Sequence, residues 1–192
     1  MEPVFTLPYS EYCVAQQLTR LLPARQGYSI YAPLSRQEKG VDLVVTRRRG
    51  RRTRAATIQV KSSRTYSRPT QTGRTLRPFK YYTWFNNFEL PKQADFIALI
   101  ALYPPEEART RRRRDSWWAP VILVFSQREM RGFLRRVKTR RGTRDRMFGF
   151  GFDDGSAVFQ TRGDQHRRYR DYSTHLLKRK VSEIKAFPGA RG

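Results

Sequence analysis

Gly40-Val41-Asp42-Leu43-Val44-Val45 and, after an arginine-rich connection, Thr57-Ile58-Gln59-Val60-Lys61-Ser62-Ser63 decide how this chain is read. An acid opens one apolar strand, and an amide and a lysine close the next. Read as an antiparallel hairpin turning near Gly50 and Arg51, the two strands set Asp42 opposite Gln59. The two-residue strand period sends Gln59 and Lys61 to one face and Ile58 and Val60 to the other. A carboxylate, an amide oxygen and an ammonium then converge on one patch, a combination suited to Mg²⁺ and a phosphodiester.

Composition restricts the partners. The chain has 192 residues, enough for one domain with a real core, and 38% of them are hydrophobic and 13% aromatic. Lys and Arg number 40 against 16 acids, a formal charge of +24. A GC-rich coding sequence raises arginine content without functional demand, but it does not remove acids, so a polyanion is expected as partner, nucleic acid before membrane. No apolar run approaches the roughly 20 residues that span a bilayer. The Met1-Glu2-Pro3-Val4-Phe5 start lacks the positive region of a signal peptide. The single cysteine, Cys13, leaves no intramolecular disulfide and no multi-cysteine zinc site, which fits a cytoplasmic location.

Along the chain, Ser10 is placed to cap a helix from Glu11 to before Pro23, with Glu11, Ala15, Leu18 and Leu22 on one inward stripe. Strands are expected at Tyr28–Leu34, Val41–Thr46 and Ala56–Ser62. Between the last two, Arg47, Arg48, Arg49, Arg51, Arg52 and Arg54 form an exposed hairpin tip. Residues 64–92 mix basic and aromatic side chains without a period and read as a long functional or mobile loop. Its aromatics suit either the stacking of unpaired bases or packing, as a satellite core or across a dimer, and packing is the better account for Trp84, Phe85 and Phe88. Buried strands follow at Asp95–Tyr103 and Pro120–Phe125, then a helix capped by Ser126 and running to Val137. Arg109 to Arg114 reads as an exposed loop. Asp153-Asp154-Gly155-Ser156 is a hairpin turn between Met147–Phe152 and Ala157–Thr161. His166 and His175 match no metal spacing and read as surface histidines, and Cys13 as a small helix residue. The order gives an α/β fold: a mixed sheet flanked by helices, with a small appended C-terminal hairpin, in a single domain over 1–192. Within it lie the core motif 11–63, the basic-aromatic loop 64–92, buried strands and helix 94–138, and the hairpin and tail 145–192.

With these residues in place, Glu11 to Ser63 resembles the catalytic core of the PD-(D/E)XK nuclease superfamily, which includes restriction endonucleases and Holliday junction resolvases. Its pattern is a first-helix Glu, an Asp at the start of a strand, and (Asp/Glu)-X-Lys on the next. Glu11, Asp42 and Gln59-Val60-Lys61 stand in those places. Val41 replaces the family's proline, and Gln59 replaces its second acid, as in the members that carry Gln-X-Lys. The resemblance implies a restriction-endonuclease-like fold and metal-dependent DNA hydrolysis. Mg²⁺, with Mn²⁺ able to substitute, would be held by Asp42, the Gln59 side-chain oxygen, the Val60 carbonyl and Glu11. Lys61 would orient water or neutralise charge on the phosphate. The hairpin arginines with Ser63, Arg64 and Arg68 are expected to contact DNA, duplex or branched, and a homodimer is compatible with the reading. The rival expectation is a binding module that keeps the fold and lost its activity with the acid at Gln59. For Asp42 and Lys61 the plainer account is a cross-strand ion pair, and for Glu11 it is a favourable charge at a helix start.

Overall fold

The computed structural model describes residues 9–33, 40–67, 78–104, 118–166 and 168–187. Among the described residues the architecture is mixed α/β, with two sheets and three α-helices. Helix α1 (Tyr9–Leu21) leads into β1 (Tyr28–Tyr31), β2 (Leu43–Arg49) and β3 (Arg52–Ser63). β4 (Thr65–Ser67) and β5 (Tyr81–Asn86) precede the apolar strands β6 (Phe96–Tyr103) and β7 (Ala119–Ser126). Helix α2 (Gln127–Arg136), strands β8 (Met147–Phe152) and β9 (Phe159–Arg162) and helix α3 (Leu177–Ala186) complete the order.

The first sheet has the order β1-β2-β3-β6-β7. All its neighbours are antiparallel except β3 and β6, so β2 and β7 run against the other three strands. β3 is shared between two partners. Its first half pairs with β2, ending at Leu43 opposite Ile58, and its second half, Ile58 to Ser63, pairs with β6. Beyond Ile58, therefore, β3 runs past the start of β2.

Side-chain alternation separates the two faces of this sheet. Leu43, Val45, Ile58 and Val60 pack with Val14 and Leu18 of α1 and Ile184 of α3. On the other face, Ile97, Leu99, Leu123 and Phe125 pack against α2 and the second sheet. Ser126 opens α2 with a reciprocal capping box: its side chain accepts from the Glu129 N–H, and Glu129 accepts from the Ser126 N–H.

The second sheet, β4-β5-β8-β9, is antiparallel throughout. β8 reads Phe148-Gly149-Phe150-Gly151-Phe152, and its three phenylalanines enter the core between the sheets. The two glycines face outward, where a Cβ at Gly149 would overlap the Trp84 ring and one at Gly151 the Phe79 ring.

Several expectations are corrected here. The C-terminal hairpin is not an appendage, because β8 pairs with β5 and its phenylalanines fill the main core. Residues 64–92 are not one long loop, since they contribute β4 and β5. The helix begins at Tyr9, which puts Ser10 inside its first turn rather than at the cap. β2 and β3 extend to Arg49 and Arg52, so the arginine tip is paired strand closed by a Gly50-Arg51 turn with Gly50 at φ +59°. Leu34, Arg68 and Arg109 to Arg114 lie outside the described residues.

Candidate functional site

Asp42 lies one residue before β2, where that strand stops covering β3. Its N–H donates to the Ile58 carbonyl, and its Oδ2 accepts the Val60 N–H at 2.7 Å. The carboxylate thereby takes the place of the next ladder carbonyl. The N–H and C=O of one strand residue point to the same edge, so the Val60 carbonyl is directed to the Asp42 side of β3.

Gln59 and Lys61 pair with Ile97 and Leu99 of β6 and share their face. Asp42 precedes the inward Leu43, so alternation turns it toward that same face. Gln59 is only 7% exposed, and its Oε1 is sealed without a hydrogen-bond partner among the described residues. Its amide lies beneath Gly40, where a Cβ would stand 3.8 Å from Nε2 and 3.4 Å from Gln93 Oε1. Lys61 is half-buried. No ion pair joins Asp42 and Lys61 among the described residues, so the plain cross-strand account of these two charges does not hold.

Glu11 is half-buried in the first turn of α1, the helix that covers the Ile58 and Val60 face. It therefore approaches from the side opposite Gln59 and Lys61. A shared site requires it to reach around the edge of β3 that β2 leaves uncovered. Among the described residues no three His, Cys, Asp or Glu side chains are grouped to hold a metal ion. The oxygens this region could offer a cation are the Asp42 carboxylate, the Val60 backbone carbonyl and the buried Gln59 amide oxygen, which lacks a partner among the described residues. All are hard oxygen donors suited to Mg²⁺, with a single negative charge between them.

The chain offers a second strand-edge acid that the motif pattern does not single out. Asp95, one residue before β6, accepts the Thr57 N–H at 2.9 Å and the Thr57 hydroxyl at 3.0 Å. β3 is thus held by a carboxylate on each edge, Asp42 on one and Asp95 on the other. The signal is present in the sequence, because both acids stand immediately before an apolar strand.

Arg48, Arg49, Arg51, Arg52 and Arg64 are exposed, whereas Arg47 and Arg54 are half-buried. Arg47 lies over the Tyr28 ring at 5.0 Å, a packing role that sets it apart from the tip. The Ser63 hydroxyl donates to the Trp84 carbonyl and ties the two sheets together. Phe85 and Phe88 pack on Phe148 inside the core, as expected, but Trp84 lies on the outer face with Tyr66 and Tyr82.

His175 is not a surface histidine. Its ring lies 4.4 Å from that of Phe125, and its Nε2 is 3.8 Å from Glu129 Oε1. Burial pushes its pKa down, with Glu129 partly opposing. The neighbouring Lys180, whose side chain is 8% exposed, donates to Glu129 at 2.5 Å and to Glu183 at 2.6 Å. This cluster ties α2 to α3. Burial alone would lower the Lys180 pKa, but its two carboxylate bonds prevail and raise it.

Comparison with family models, curated proteins and solved structures returns no match. No described helix is long and apolar enough to cross a membrane.

Proposed function

We propose that this chain is a metal-dependent DNA endonuclease of the cytoplasm, with a restriction-endonuclease-like core and its site at the uncovered edge of β3. The observation that carries the reading is the junction of Asp42 with Val60. A carboxylate is fixed beside a strand whose Gln59 and Lys61 face the same way, in a chain of charge +24.

Asp42, the Val60 carbonyl and the Gln59 oxygen would hold Mg²⁺, with Glu11 completing the set around the strand edge. Bound there, the ion would lower the pKa of a water and polarise a phosphate. The chain's own residues supply position and charge. The Val60 N–H holds the Asp42 carboxylate in place at the strand edge. The half-buried Lys61 ammonium has no acid partner among the described residues, which leaves it to offset charge growing on phosphate oxygens. The exposed arginines of the β2–β3 hairpin would grip the DNA backbone.

A second reading has its own support. With no group of three His, Cys, Asp or Glu side chains among the described residues the edge is a weak cation site, and the enclosed Gln59 suits a fold retained for binding alone. Incubating the protein with duplex DNA in Mg²⁺ and in EDTA separates the two. The endonuclease reading expects cleavage that the chelator abolishes. Equal binding in both conditions without cleavage supports the binding module.

A further inference from the structure

The outer face of the second sheet is paved with rings where most sheets carry polar side chains. Gly149 and Gly151 leave space on β8, and Trp84 and Phe79 fill it by lying against the backbone. Tyr66 stands 4.8 Å from Trp84, centroid to centroid, and Tyr82 stacks on Trp84 at 6.0 Å with planes 17° apart. Phe79 stacks on Phe159 at 5.2 Å. Tyr82 and Phe79 are buried, whereas Tyr66 is 46% exposed and Trp84 and Phe159 are half-exposed.

The buried rings thus support accessible ones whose orientation is fixed by neighbours. Beyond closing the core, this face leaves a tyrosine and a tryptophan open to solvent side by side. Arg64, next to β4, and Arg162, on β9, are exposed beside the face, Arg162 also pairing with Asp145 at 3.3 Å, and the formal charge of +24 favours an anionic partner. Flat apolar rings bordered by guanidinium groups match a ligand that alternates planar bases with phosphates. In a duplex the base faces are already stacked on one another, so only unpaired nucleotides can use such a surface.

We infer that the outer face of the β4-β5-β8-β9 sheet is a stacking platform for unpaired DNA, with Tyr66 and Trp84 as its principal base contacts. β4 follows β3 after the single residue Arg64, so the platform adjoins the strand that carries Gln59 and Lys61. An unpaired segment held there would present the flanking backbone to the β3 edge. The inference rests on the nucleic-acid reading above but not on catalysis.

The test is equilibrium binding in EDTA of a fluorescent oligo(dT), a matched hairpin duplex and oligo(U), to wild type and to Tyr66→Ala, Trp84→Ala and Trp84→Phe. Each alanine variant should weaken oligo(dT) binding about five- to a hundredfold, the range for loss of one stacked base. Duplex binding should stay within about twofold, and Trp84→Phe should recover most of the loss because a ring remains over Gly149. Tyr66→Ala removes an exposed ring and keeps the claim testable if Trp84→Ala unfolds. Unchanged oligo(dT) affinity in Tyr66→Ala, an equal loss on duplex, or tighter binding of oligo(U) than of oligo(dT) would overturn the platform. The chelator removes cleavage from the readout, so failure of the endonuclease reading leaves this result interpretable.

Discussion

The Asp42 carboxylate accepts the backbone N–H of Val60 at 2.7 Å, at the point where β2 begins and β3 runs on past it. One side chain thus terminates a sheet ladder and places a negative charge beside Gln59 and Lys61. Its structural and chemical duties can be separated by substitution.

Asp42→Asn keeps an acceptor for the Val60 N–H and should cost less than about 1 kcal/mol in urea unfolding, whereas Asp42→Ala leaves a buried donor unpaired and should cost about 1–3 kcal/mol. Both variants lose the charge, so both should lose metal-dependent cleavage. Activity retained in Asp42→Asn would remove Asp42 from the metal site.

Lys180 is enclosed between Glu129 and Glu183, and its removal leaves the Glu129 carboxylate half-buried without its main partner. Lys180→Ala should destabilise the protein by about 2 kcal/mol, below the value for a fully buried pair because both acids reach water. A shift in the denaturation midpoint without a change in its slope would check this.

Acid should weaken the fold in two steps. The folded pKa of His175 lies below its ordinary 6.5 because burial opposes the charged ring, so the unfolded chain takes up that proton first. Stability then falls as pH drops below 6.5 toward the lowered folded value. Burial alone would raise the Glu129 pKa, but the bonds from Lys180 and Ser126 prevail and bring it below the ordinary 4.5. Its contribution is full above that value and is lost as pH falls through the folded pKa. His175→Gln should flatten the decline in thermal midpoint from about pH 7 to about pH 5 and leave the more acidic step intact. An unchanged decline would assign the first step to another group.

DNA affinity should fall steeply with salt. Replacing Arg49, Arg51 and Arg52 with alanine should reduce the slope of log K against log salt by about 1 for each phosphate those side chains neutralise. Arg47→Ala should behave differently. It lies over Tyr28, so its removal should register first as lower stability. A salt slope unchanged by the triple substitution would place the DNA elsewhere on the surface.

The β2–β3 hairpin and the positions of Asp42, Gln59 and Lys61 are legible in the sequence because one face of each strand packs on α1 and the other carries the polar groups, which preserves the two-residue period. The second sheet is not legible. Tyr81 to Asn86 has core on one face and rings on the other, so both faces are apolar and the period vanishes. Its partner strand β8 also lies far away in the chain. Phe148-Gly149-Phe150-Gly151-Phe152 does hold a clue, since glycine repeated on one face of a strand marks something lying against it. Glu11 is legible as a helix residue, but the face on which that helix packs is a tertiary fact. The burial of His175 escapes the sequence because the Phe125 that covers it comes from a distant strand.

The most direct test of the central claim is cleavage of plasmid, linear, single-stranded and four-way-junction DNA with Mg²⁺, Mn²⁺ or EDTA, wild type beside Lys61→Ala at matched DNA affinity. The account predicts metal-dependent cutting by wild type that Lys61→Ala loses while still binding. Equal inertness of both proteins while they hold DNA, or equal cutting by both, would contradict it.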